Sequence, residues 1–77
     1  MRNSNFNLRL KHLLSHYSIT QKVLSQKSGI MKQTMSLYVQ GKREPNIKNL
    51  IKISDATNIS PTWLLGYGTD DFIETIK

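Results

Sequence analysis

Cysteine is absent from the chain, which excludes disulfide staples, thiolate zinc sites and thiol catalysis together. Acidic residues are few, five against eleven Lys and Arg. No apolar run approaches the roughly 20 residues of a membrane helix, and Met1 to Asn7 is polar with no signal-peptide apolar stretch behind it. These absences lead us to expect a soluble, cytoplasmic protein with no membrane partner. At 77 residues there is room for one core held by packing alone.

The charge is unevenly placed. Up to Thr69 ten basic residues face only Glu44 and Asp55, whereas the last eight residues carry Asp70, Asp71, Glu74 and Lys77. A basic body followed by an acidic tail points to a polyanionic partner, nucleic acid first among them, although ribosomal components and membrane-surface binders share that balance.

Four glycines and two prolines divide the chain into five short helical segments, with no strand-like alternation. Phe6, Leu10, Leu13, Leu14 and Tyr17 form one stripe in the first. Thr20 is placed to cap the second, Thr20 to Ser28, and Gly29 to end it. The third runs from about Met31 to Gln40 with Met35 and Tyr38 inward, closed by Gly41. Lys42 to Pro45 is a loop, because Pro45 disfavours helix at Glu44. Asn46 is expected to cap the fourth, which buries Ile47, Leu50, Ile53, Ser54 and Thr57 with Ile51 near the edge. Ser60-Pro61 reads as cap and first helical residue of a short fifth helix carrying Trp63 and Leu64, closed by Gly66. The pattern predicts an all-α domain over residues 1–66 and a short acidic tail over 67–77.

Two short helices joined through Gly29-Ile30-Met31 have helix-turn-helix spacing. The run T-Q-x-x-L…x-G-I-x-x-x-T-x-S-x-Y-x-x-G-K-R-x-P from Thr20 to Pro45, continued by Ile59-Ser60-Pro61-x-Trp63-Leu64-Leu65-Gly66, resembles the family of phage lambda-type repressors and Cro proteins. The resemblance covers about residues 6 to 66. It implies a compact five-helix lambda-repressor-like domain with the helix-turn-helix at the second and third helices. It also implies a regulator that binds double-stranded operator DNA as a homodimer and would associate with the nucleoid.

Carried over by position, the resemblance makes Lys32, Gln33, Ser36 and Leu37 base readers. Gln33 can pair bidentately with adenine, Lys32 can donate to guanine, and Leu37 offers apolar contact to a thymine methyl. Thr20, Gln21, Thr34, Lys42 and Arg43 match positions at the phosphate backbone. Trp63, Leu65, Tyr67, Phe72 and Ile73 are candidate dimer contacts, because they exceed what so small a core covers. Regulation then comes from concentration, competition for sites or a partner protein, with no cofactor, metal or small-molecule ligand expected.

Three departures from the family pattern stand out. Met31 occupies a position where Ser or Thr usually caps the recognition helix. Ser25 and Ser28 replace apolar residues of the second helix, which predicts thinner packing there. Leu14 and Val39 match a buried Arg–Glu pair of many relatives, and replacing both partners by hydrocarbon is often neutral or stabilising, so the two are expected to touch.

The ordinary readings also have weight. Lys32, Gln33 and Ser36 would serve as a solvated helix face, and Lys42 and Arg43 as loop residues. His12 and His16 have the spacing of a metal pair but no third ligand nearby in sequence. Trp63 suits a core or dimer contact better than a stacking platform. No base stands beside a serine in any catalytic motif, so the chain does not read as an enzyme. Two other functions compete with the regulator: an antitoxin using the same fold with the tail on a toxin, and a protein-interaction module that has lost DNA binding.

Overall fold

The computed structural model describes residues 5–67, and Phe72, Ile73 and the rest of the acidic tail lie outside them. Five helices follow in order: α1 Phe6–Tyr17, α2 Gln21–Ser28, α3 Lys32–Gln40, α4 Ile47–Thr57 and α5 Pro61–Leu64. The expected all-α, five-helix class is what is observed.

Helix starts follow side-chain chemistry at two of the expected places. Thr20 Oγ1 accepts the Val23 N–H at 3.1 Å and Asn46 Oδ1 accepts the Asn49 N–H at 2.8 Å, each satisfying an amide that has no partner within its helix. Ser60 departs from expectation. Its hydroxyl pairs with Thr62 Oγ1 at 2.8 Å and makes no cap bond, so α5 starts on the fixed φ of Pro61 alone.

Helix ends use two devices. After α1 and α3 the chain turns through a left-handed residue, Ser18 or Gly41, and the next amide bonds back over the last turn: Ile19 N–H to Leu14 C=O at 3.0 Å, Lys42 N–H to Leu37 C=O at 2.9 Å. Glycine suits position 41 chiefly through its backbone, and a Cβ would also displace the end of the Asn7 side chain. Its φ is +77°, and a Cβ there would stand 2.9 Å from Asn7 Nδ2.

The ends of α2 and α4 share a side-chain latch, which at α4 is added to the same backbone bond, Ile59 N–H to Ser54 C=O at 3.3 Å. Ser25 Oγ donates to the Ile30 carbonyl, and Ser54 Oγ donates to the Ile59 carbonyl at 2.5 Å. The sequences repeat accordingly, Leu24-Ser25-x-x-Ser28-Gly29-Ile30 and Ile53-Ser54-x-x-Thr57-Asn58-Ile59, each closing a helix through a left-handed Gly29 or Asn58 and burying the isoleucine beyond it. Ser25 and Ser28 therefore do not simply thin the packing. They satisfy backbone groups of the turn, with Ser28 Oγ accepting the Ile30 N–H at 3.3 Å.

The core lies where α1 meets α3 and α5, α2 meets α3 and α4, and α4 meets α5. Leu10, Leu13, Leu24, Met35, Ile53 and Leu64 are fully enclosed there. Val39 is buried in this core, and Leu14 is a partly buried residue of α1 packed against the same cluster, so apolar side chains occupy both of the positions singled out in the sequence. Ile47, expected inside, is 79 % exposed. It is the first residue of α4, a turn ahead of Leu50, the first residue of that helix to be buried.

Arg9 is a buried charged residue that periodicity did not single out. It is only 7 % exposed, its guanidinium carbon lies 4.6 Å from the centre of the Trp63 ring, and Nη1 donates to the Trp63 carbonyl at 3.1 Å. A cation over an aromatic face with a charge-assisted hydrogen bond ties α1 to α5. Arg9→Met keeps the apolar stem and removes both interactions. It should lower unfolding free energy by about 1–3 kcal/mol in urea denaturation. Arg9→Lys should recover only part of this, because an ammonium lacks the planar stacking face.

Candidate nucleic-acid interface

Nine residues make α3 too short to persist alone in water, so its attitude is set by what it buries. Met35, Tyr38 and Val39 face inward. The Tyr38 ring meets Phe6 of α1 edge-on, centroids 5.5 Å apart and planes at 82°, while its hydroxyl accepts from Asn49 Nδ2 of α4 at 2.9 Å. One side chain thereby joins α3 to two other helices.

With that face buried, helical geometry turns Gln33, Ser36 and Leu37 away from it, while Lys32, seven residues before Val39 and so on the buried side, is exposed because it opens the helix. Lys32 and Gln33 are exposed, and Thr34, Ser36 and Leu37 are half-buried. Ser36 carries a feature absent from the sequence reading: Gln40 Nε2 donates to its hydroxyl at 2.7 Å. That bond occupies one lone pair and leaves the Ser36 hydroxyl proton to donate outward.

The flanking residues have matching exposure. Thr20 and Gln21, at the start of α2, are exposed, as are Lys42 and Arg43 in the loop after α3. The loop is held to α3 by the Lys42 N–H bond to Leu37. Between α2 and α3, both polar backbone groups of Ile30 are satisfied by Ser25 and Ser28, which fixes the turn without any side-chain cap on α3.

This short helix, latched turn and second helix with an outward polar face match the family model described as helix-turn-helix over residues 10–64. The chain belongs to the lambda repressor and Cro type of helix-turn-helix proteins. Over 60 residues, 78 % of this chain, it is 35 % identical to the uncharacterized HTH-type transcriptional regulator YqaE of Bacillus subtilis (strain 168). The match covers 52 % of that protein, so the chain spans about half the length of this relative. No solved structure matches the chain.

The other expected sites of this helix-turn-helix chain differ in exposure. Trp63, a candidate dimer contact, is 1 % exposed and fills the protomer's own core. Leu65 is half-buried, and Tyr67 is 68 % exposed. His12 stands edge-on to Trp63 at 5.8 Å and His16 edge-on to Tyr17 at 5.0 Å, so both imidazoles have packing roles. Among the described residues no three His, Asp or Glu gather as a metal site, and no helix is long and apolar enough to cross a membrane.

Three contributors escaped the sequence reading: Gln40, Asn49, and Ser25 as a latch. The Ser–x–x–x–(Gly or Asn)–Ile repeat is the signal that could have revealed the last. Ser25→Ala leaves a buried Ile30 carbonyl without its side-chain donor, and should cost about 1–3 kcal/mol in thermal or urea unfolding. Tyr38→Phe keeps the ring and loses only the partly buried bond to Asn49, so its cost should be about 0.5–1.5 kcal/mol.

Proposed function

We propose that the chain is a sequence-specific double-stranded DNA-binding transcriptional regulator, acting as a Cro-like repressor on a palindromic or near-palindromic operator. The observation that carries this reading is the solvent side of α3, where Gln33, Ser36 and Leu37 stand opposite the buried Met35, Tyr38 and Val39 and Lys32 is exposed at the start of the helix. Lys32 offers a donor to guanine, Gln33 a paired donor and acceptor to adenine, Ser36 a hydroxyl proton, and Leu37 an apolar surface to a thymine methyl. Thr20, Gln21, Thr34, Lys42 and Arg43 bind phosphates and set the register. The Bacillus relative's description as a transcriptional regulator supports the same class.

A homodimer suits the dimensions. The chain's principal extents are 29 × 28 × 21 Å, and half-sites one turn of DNA apart are separated by about 34 Å. Two protomers side by side span that distance with a small contact, for which Leu65, Tyr67, Phe72 and Ile73 are the candidates. Binding at the operator then represses by excluding polymerase.

Selection of bound duplexes from a random pool, at two salt concentrations, tests this reading. The wild type should recover a two-fold symmetric site, and Gln33→Ala should lose preference at one base pair per half-site at about 1–3 kcal/mol. Lys42→Ala and Arg43→Ala should each lower the salt slope by about 1 while leaving sequence preference unchanged. Weak binding that vanishes with salt and ignores Gln33 would instead identify a protein-interaction module.

A further inference from the structure

Met31 precedes α3 at the position where Ser, Thr, Asp or Asn would accept an amide of the first turn. Thr20 and Asn46 do this for α2 and α4, whereas Met31 makes no such bond. Its backbone is nevertheless in ordinary cap geometry, φ −60° and ψ 146°, and its carbonyl accepts the Met35 N–H at 2.9 Å.

The preceding residue explains how. The Ile30 carbonyl takes the Ser25 hydroxyl, and its N–H goes to Ser28 Oγ. Both polar backbone groups next to Met31 are fixed from α2, so the turn does not rely on the side chain at position 31. That side chain is 66 % exposed, directly before Lys32 and Gln33, at the end of the recognition helix whose first residues meet base edges. Leu8, Ile47 and Tyr67 are also exposed apolar residues, but none adjoins the α3 readers in sequence. Met is unbranched and polarizable, and adapts to small apolar partners.

We propose that Met31 is a specificity-determining residue whose thioether contacts the C5-methyl of a thymine in each operator half-site, a contact made possible because Ser25 and Ser28 hold the turn that a cap would otherwise hold. This inference rests on the operator reading above. It adds a methyl-reading position distinct from Leu37.

The test is fluorescence anisotropy on the selected operator with each thymine replaced in turn, symmetrically in both half-sites, by deoxyuridine, which lacks only the methyl. Wild-type binding should weaken roughly fourfold per half-site at one position, the effect of uncovering one methyl-sized group. Met31→Ser should bind thymine and deoxyuridine equally at that position while keeping the Leu37-dependent one, and Met31→Leu should retain the discrimination. Met31→Ser should also melt about 4–8 °C higher through the restored cap, which separates lost methyl reading from lost folding. A deoxyuridine profile identical in wild type and Met31→Ser would overturn the proposal and leave operator reading intact. Failure of the wild type to select any specific site would overturn both.

Discussion

Tyr38 is the joint on which the position of the recognition helix depends. A nine-residue helix gains too little from its own hydrogen bonds to stay formed in water, and burial of one face must both stabilise and aim it. Tyr38 contributes its ring to Phe6 in α1 and its hydroxyl to Asn49 in α4. The placement of Lys32, Gln33, Ser36 and Leu37 is inherited from that anchorage and from Met35 and Val39 beside it.

Polar groups share with hydrocarbon in holding this small core. A chain of this size buries a smaller fraction of its surface than a larger domain, and several of its joints are made by side-chain hydrogen bonds. Ser25 and Ser54 lock two turns by the same bond to the isoleucine five residues on. Arg9 lies over Trp63 and bonds its carbonyl, with α1 and α5 brought together by the guanidinium. These bonds are directional, so they specify turn geometry where hydrocarbon contact alone would tolerate several arrangements. The repeated Ser…Ile latch joins the two halves in design, since α2 with its turn and α4 with its turn end alike and pack on each other.

The proposed function divides along the same lines. In that proposal phosphate attraction comes from the exposed charges of Lys42 and Arg43 in the loop after α3, with the neutral Thr20 and Gln21 at the start of α2 beside them, and asks little of geometry beyond the right side of the molecule. Base reading asks for fixed positions, and those are supplied by the latched turn and by the buried face of α3. The Gln40 bond to Ser36 extends this to one of the proposed readers, because it restricts where the Ser36 proton can point.

The sequence by itself determined the helical class, the order and approximate limits of the five helices, the caps at Thr20 and Asn46, and the left-handed turns at Gly29 and Gly41. All of these follow from local chemistry: periodicity, the φ a glycine permits, and a side-chain oxygen within reach of a nearby amide. The family was legible too, because glycines, proline and apolar positions fell in register. Only the tertiary structure decided the fate of Arg9, Ile47, Ser25, Ser60 and Trp63. Arg9 looks like a surface cation until α5 brings Trp63 over it, and Ile47 looks like core until the packing is seen to start a turn later. Ser25 reads as a packing defect until the chain turns back to present the Ile30 carbonyl. For Arg9, Trp63 and Ser25 the deciding partner lies beyond the reach of a helical period, in another element or across a turn, and nothing in the local sequence states which atoms will meet there; Ser60 is instead diverted by its near neighbour Thr62.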